Sequence, residues 1–116
     1  MHEKVLRTID LPRQTGARPM PQDVKTSPDG STFYVADQAS NGVFELDATT
    51  LHLKRFLTTG HGAHGLYVSR DSKDLYITNR YGGSVSVLSF ATGKVRATWS
   101  LPGGSPDMLY ALRAGS

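Results

Sequence analysis

The feature that most constrains this sequence is that it repeats itself. A shift of 42 residues places segment 26–47 over segment 68–89 without a gap. The identical pairs include Ser27 with Ser69, Asp29 with Asp71, Tyr34 with Tyr76, Val43 with Val85, and Leu46 with Leu88. Self-similarity at a period of roughly 20 to 50 residues indicates a repeat architecture in which each unit packs against its neighbours.

The repeat extends beyond these two copies at both ends. AHGL at 63–66 falls over SPDM at 105–108, so a third copy begins near the end of the sequence. KVLRTIDLP at 4–12 matches KVRATWSLP at 94–102, so the start belongs to the same series. We therefore expect two complete units flanked by parts of two others.

Each unit consists of strand and turn signals. Segments 32–37 and 74–79 are rich in aromatic and β-branched residues, and 42–47 alternates apolar with polar residues as a strand does. SPDG at 27–30 suits a tight turn, and no window sustains a helical period. Four short strands joined by hairpin-length connections describe one four-stranded antiparallel blade of a β-propeller.

We predict an all-β fold of two complete blades. Their predicted bounds are about 21–59 and 63–101, with an outer strand of a preceding blade at 4–11 and the start of a further blade at 107–112.

Composition excludes several classes of protein. The 13 Lys and Arg against 10 Asp and Glu give a net charge of +3 without any block of like charges, which predicts no nucleic-acid partner. The lack of cysteine excludes disulfides, thiolate metal sites and cysteine nucleophiles. No apolar run approaches the roughly 20 residues that span a bilayer, and the first residues have no apolar signal core. We expect no membrane insertion and no bound cofactor.

Four motifs in the repeat resemble a known family. They are GHGAHG at 60–65, SPDG at 27–30, YITN at 76–79 and ATGK at 91–94. From Lys4 to Met108 the chain resembles the YVTN-type β-propeller repeat family. The resemblance implies a propeller and suggests an extracytoplasmic location, periplasmic or at the cell surface. It implies little about activity, because such repeats occur in surface-layer-like proteins, periplasmic proteins and some enzymes.

The motif GHGAHG holds two of the four histidines, His61 and His64. The resemblance places it at the start of an inner strand, where the family often has histidine. We favour that structural interpretation, and contact with a ligand without metal is a second one, since imidazole both donates and accepts hydrogen bonds. A metal site needs three or four ligands, and we predict none.

Other polar residues share the end of the propeller on which this motif is expected. Arg80 and Tyr81 lie on a hairpin turn, and the repeat counterparts of the histidine motif carry Gln22, Asp23 and Asp107. Asp29 and Asp71 are expected to cap their own turns rather than act as an acid and base pair. The predicted ligand-binding residues are Gln22, Asp23, His61, His64, Arg80, Tyr81 and Asp107.

Two classes of function stay open. The first, which we favour, is a non-catalytic propeller module that binds a protein or a small molecule. The alternative is a segment of a propeller enzyme, either a lactonase-like hydrolase or a metal-dependent oxidoreductase, with its site at the axis.

Two blades share only one interface, so we expect uncovered apolar rows on both outward faces and, as a result, a homo-oligomer. The residues expected in these rows are Phe33, Val35, Leu75, Ile77, Val85 and Val87.

Overall fold

The computed structural model describes residues 10–101, and this part of the chain contains eight strands and no helix. The strands are β1 (Pro21–Thr26), β2 (Thr32–Asp37), β3 (Gly42–Asp47), β4 (Leu53–Thr58), β5 (Ala63–Val68), β6 (Asp74–Asn79), β7 (Ser84–Ser89) and β8 (Val95–Ser100). The predicted all-β fold is confirmed.

The strands form two antiparallel sheets of the same design. The first sheet has the order β1-β2-β3-β4 and the second β5-β6-β7-β8, so within each sheet the strands pair in chain order. The sequence repeat is also a repeat of register: Val43 pairs with Leu57 as Val85 pairs with Trp99. In both sheets the register then shifts at the same point, after Glu45 in β3 and after Val87 in β7.

Local chemistry explains the turns that begin β2 and β6. The Oδ1 atom of Asp29 accepts hydrogen bonds from Ser27 Oγ at 2.6 Å and from the Ser31 N–H at 3.0 Å. Asp71 accepts from Ser69 Oγ at 2.7 Å in the equivalent turn. Each aspartate therefore caps its own turn, as expected from the sequence.

The main apolar core lies between the two sheets. Tyr34, Ala36 and Val43 of the first sheet pack there with Leu66, Leu75, Ile77 and Leu88 of the second. The rings of Tyr34 and Phe90 meet across the interface with their centroids 5.7 Å apart. This core fixes the two blades against each other and so positions the loops at their ends.

The outward faces differ from the sequence prediction. Leu75 and Ile77 lie in the core between the sheets, because their strand turns that side toward the first blade. Val35, Val85 and Val87 are 7%, 0% and 0% exposed. The prediction of uncovered apolar rows is therefore wrong for these five residues.

The remaining member of that set is half-buried. Phe33 packs against the cluster of Val35, Phe44 and Leu46. Most of the predicted flanking strand at 4–11 and all of the one at 107–112 lie outside the described residues, and Asp10 and Leu11 are not in a strand. A helix long and apolar enough to span a membrane is not found within residues 10–101.

Candidate binding site at the loops between the blades

Three loops meet at one end of the two sheets, which we call the loop end. They are the β2–β3 turn (38–41), the β4–β5 loop (59–62) and the β6–β7 turn (80–83).

Backbone groups of the β4–β5 loop join the two hairpin turns. The Gly62 N–H donates to Asn41 Oδ1 at 2.9 Å, and the Gly62 carbonyl accepts from the Arg80 N–H at 2.9 Å. The His61 carbonyl accepts from the Tyr81 N–H at 3.0 Å. The loop that contains the histidine motif is thus hydrogen-bonded to both turns.

Tyr81 is exposed yet held in place. Its side chain is 67% exposed, but its ring lies directly against Gly62, where an added Cβ would come within 2.5 Å of the ring. Gly62 also has a φ of +73°, in the left-handed region that favours glycine. The phenol oxygen accepts a hydrogen bond from Gln38 Nε2 at 3.0 Å, and the Arg80 guanidinium lies 5.7 Å from the ring centroid.

Gln38 is a residue of the loop end that the sequence analysis missed. Its N–H donates to the Met20 carbonyl at 3.0 Å, and its side chain reaches Tyr81 on the other blade. Met20 itself is 49% exposed, so it adds apolar surface beside the tyrosine. The signal was present, because Gln38 is the repeat counterpart of Arg80.

Asp23 links the two blades with its carboxylate. Oδ2 accepts from the Leu66 N–H of β5 at 2.9 Å, and Oδ1 accepts from the Val24 N–H at 2.8 Å. Lys25 Nζ lies 3.7 Å from Oδ1. Both oxygens therefore already have partners within the protein.

The remaining predicted residues are dispersed. Gln22 is exposed and donates to the Met20 carbonyl at 3.4 Å. His61 is exposed in the loop, whereas His64 is half-buried in β5. Within residues 10–101, no three His, Cys, Asp or Glu side chains are placed to hold a metal ion. Asp107 lies outside the described residues.

The titratable groups with the clearest pKa shifts lie away from the loop end. Hydrogen bonds from Ser27 and then Ser31 lower the pKa of Asp29 to about 2. Burial between the blades, followed by the charge of Glu45, raises the pKa of Tyr34 to about 12. The hydrogen bond to Glu45 raises the pKa of Arg55. These shifts follow from turn capping and blade packing.

The opposite end of the second sheet carries a shallow depression lined by residues of the β5–β6 and β7–β8 turns. Its wall includes Arg96, which binds Asp74 through two hydrogen bonds of 3.0 and 2.8 Å. Because this pair is satisfied internally, the loop end is the better candidate for recognition.

Solved structures similar to this chain are β-propellers. Kuenenia stuttgartiensis hydrazine synthase matches with a TM-score of 0.67 and 24% identity over 91% of this chain and 28% of its own. The RRP9 WD40 repeats match with 0.66 and 13% identity over 79% and 29%. The Pseudomonas aeruginosa periplasmic gluconolactonase PpgL matches with 0.61 and 25% identity over 76% and 28%. No protein-family model matches the sequence, and no curated protein matches it closely.

The two sheets and these neighbours define the chain as a β-propeller segment. It spans less than a third of the length of each of the three structures. Membership of the YVTN-type family stays a prediction.

Proposed function

We propose that this chain is a non-catalytic β-propeller module that binds a protein or small-molecule ligand at the loop end. The observation that carries the proposal is Tyr81, an aromatic side chain that is 67% exposed but fixed on both sides by Gly62 and Gln38. A fixed aromatic ring loses little conformational entropy on binding, and tyrosine offers both an apolar face and a hydroxyl. Arg80 adds a cation and Met20 an adaptable apolar group beside it.

The proposal includes the YVTN-type family and an extracytoplasmic location. The repeat motifs support the family, and the similarity to a gluconolactonase described as periplasmic supports the location.

Self-association forms a second part of the proposal. The face of blade 1 that carries Tyr34 and Val43 is buried against blade 2, and the repeat counterparts on blade 2 are Tyr76 and Val85. Val85 is already 0% exposed, so this part rests on the length of the chain, which spans less than a third of each propeller that it matches. We propose that a second copy of the chain supplies further blades. Light scattering after size exclusion should give a mass above that of the monomer, and a persistent monomer at high micromolar concentration would contradict this part.

Tyr81→Ala tests the binding site. Peptides selected from a displayed random library against the unmodified chain should bind this variant at least about tenfold more weakly, the loss expected for a central aromatic contact. Tyr67→Ala is the matched control, because Tyr67 is also exposed, at 39%, but lies on inner strand β5. If the selected peptides bind both variants equally well, the loop end is not the binding surface.

The alternative is a segment of a propeller enzyme, favoured by the similarity to PpgL, a gluconolactonase. Hydrolysis of glucono-δ-lactone above the buffer rate would support it. So would stoichiometric zinc or copper that disappears in the His61→Ala, His64→Ala double variant. On our proposal that double variant folds like the unmodified chain and its metal content does not change.

A further inference from the structure

The first blade contains a buried carboxylate with an unused oxygen. Asp37, at the end of β2, is 0% exposed. Its Oδ1 accepts a hydrogen bond from the Ser40 N–H at 2.9 Å, but Oδ2 is buried and has no hydrogen-bond partner. The ion pairs of the described residues involve other carboxylates, those of Asp23, Glu45 and Asp74.

The second blade shows which hydrogen bonds a polar side chain makes at the same position. The counterpart of Asp37 is Asn79, which is also 0% exposed. Asn79 Oδ1 accepts from Thr59 Oγ1 at 3.0 Å, and Nδ2 donates to Ser84 Oγ at 3.1 Å and Ser86 Oγ at 2.9 Å. All its polar atoms therefore have partners.

None of these three hydroxyls exists around Asp37. The repeat counterparts of Ser84 and Ser86 are Gly42 and Phe44, and the repeat register puts Leu11 in the place of Thr59. Leu11 packs against the apolar cluster that contains Phe44. The Asp37 carboxylate thus lies beside apolar side chains. A buried negative charge in such surroundings is costly unless a counter-charge accompanies it.

Two more buried oxygens without a hydrogen-bond partner lie in the same turn, Gln38 Oε1 and Ser40 Oγ. Ser40 is 3% exposed, its N–H is held by Asp37, and its Oγ is buried without a partner. Carboxylate and hydroxyl oxygens are ligands of hard metal cations. A single carboxylate balances one positive charge, so a monovalent ion leaves the site neutral.

We propose that Asp37 Oδ2 and Ser40 Oγ bind a small monovalent cation, Na⁺ or K⁺, within the β2–β3 turn. The ion compensates the buried charge and braces the turn that contains Gln38 and Asn41, the two residues that reach the second blade at the loop end. This site is separate from the exposed surface around Tyr81.

The test is thermal unfolding of the unmodified chain in NaCl, in KCl and in tetramethylammonium chloride at equal ionic strength. Tetramethylammonium is too large to enter a buried site, so the melting temperature should be higher in Na⁺ or K⁺ by roughly 5 °C or more, as for an ion at about ten times its dissociation constant. The difference should disappear in Asp37→Asn and shrink in Ser40→Ala.

Asp71→Asn is the matched control, since it removes the same charge from an exposed turn of the other blade. It should melt at a lower temperature but keep the full difference between the salts. Equal melting of the unmodified chain in all three salts would overturn the proposal in favour of a buried water or a protonated Asp37. A difference that persists in Asp37→Asn would overturn it by placing the ion elsewhere. A larger gain from CaCl₂ than from the monovalent salts would overturn the choice of ion.

Discussion

The two blades have the same strand order and register, but different side chains occupy several equivalent positions. At the loop-end side of its sheet, the second blade surrounds Asn79 with the hydroxyls of Ser84 and Ser86. At the matching positions the first blade has Gly42 and Phe44, and the Phe44 ring packs on that of Phe56 at 4.8 Å.

The blades also differ on the faces that point toward the chain's end. There the first blade places the ion pair of Glu45 and Arg55, with 2.9 Å between Oε2 and Nη2, and Arg55 also donates to the Gly93 carbonyl of the second blade. The second blade has Val87 and Ala97 at these positions. The first blade therefore has a polar pair where it meets the second blade, whereas the second blade has apolar side chains at these positions, of which Val87 is 0% exposed. The same strand arrangement accommodates both sets of side chains, because its register and turns depend on local contacts.

The largest effect that separates the blades is expected at Gly65. A Cβ added there would lie 3.1 Å from Thr78 Oγ1 and 3.2 Å from the Tyr67 ring, whereas the first blade fits Asp23 at this position opposite Ala36, the counterpart of Thr78. Gly65→Val should therefore lower the free energy of unfolding by about 1 to 3 kcal/mol, measured by urea denaturation. An unchanged free energy of unfolding would contradict this account.

A smaller effect is expected from the ion pair between the blades. Arg55→Met leaves Glu45, only 8% exposed at its side chain, without its counter-charge. Since Arg55 itself is 43% exposed, we expect a loss of about 1 to 2 kcal/mol rather than the full cost of a buried pair.

The matched control for that variant is Arg96→Met, which breaks the Asp74 pair within the second blade. Arg96 is more exposed, at 52%, and its partner Asp74 belongs to the same blade, so the control should lose less stability. Equal losses of stability in the two variants would show that contact with the other blade does not strengthen the ion pair.

The smallest effect concerns the aspartates that cap the turns. The pKa of Asp29 is lowered to about 2, because Ser27 and Ser31 donate to its charged form, and the pKa of Asp71 is lowered for the same reason. A depressed pKa contributes stability above the ordinary value near 3.8 that is lost as the pH falls through about 2. Asp29→Asn should be less stable at pH 7 and should lose less between pH 4 and pH 2. Parallel stability curves for the variant and the unmodified chain would contradict this.

The strands and turns could be predicted because their signals are local. The repeat fixes the number of strands, and the Ser-Asp pairs at 27–29 and 69–71 fix the turns through contacts two residues apart.

The faces could not be assigned from the sequence. Alternation separates Leu75 and Ile77 from their neighbours but does not say which side of β6 meets the other blade. The contact of Gln38 with Tyr81 joins residues 43 positions apart, and the unpartnered oxygen of Asp37 becomes visible only when the loop end is assembled.

The simple strand order also has a consequence for how the chain reaches this structure. Every pairing in either sheet joins neighbouring strands across a short turn, so each sheet closes only small loops as it forms. Pairing between neighbouring strands keeps the sequence separation within each sheet small, so each blade can assemble as a series of hairpins. The contacts of longest sequence separation form where the two sheets meet, at Tyr34 with Phe90 and at the Asp23 carboxylate with the Leu66 amide.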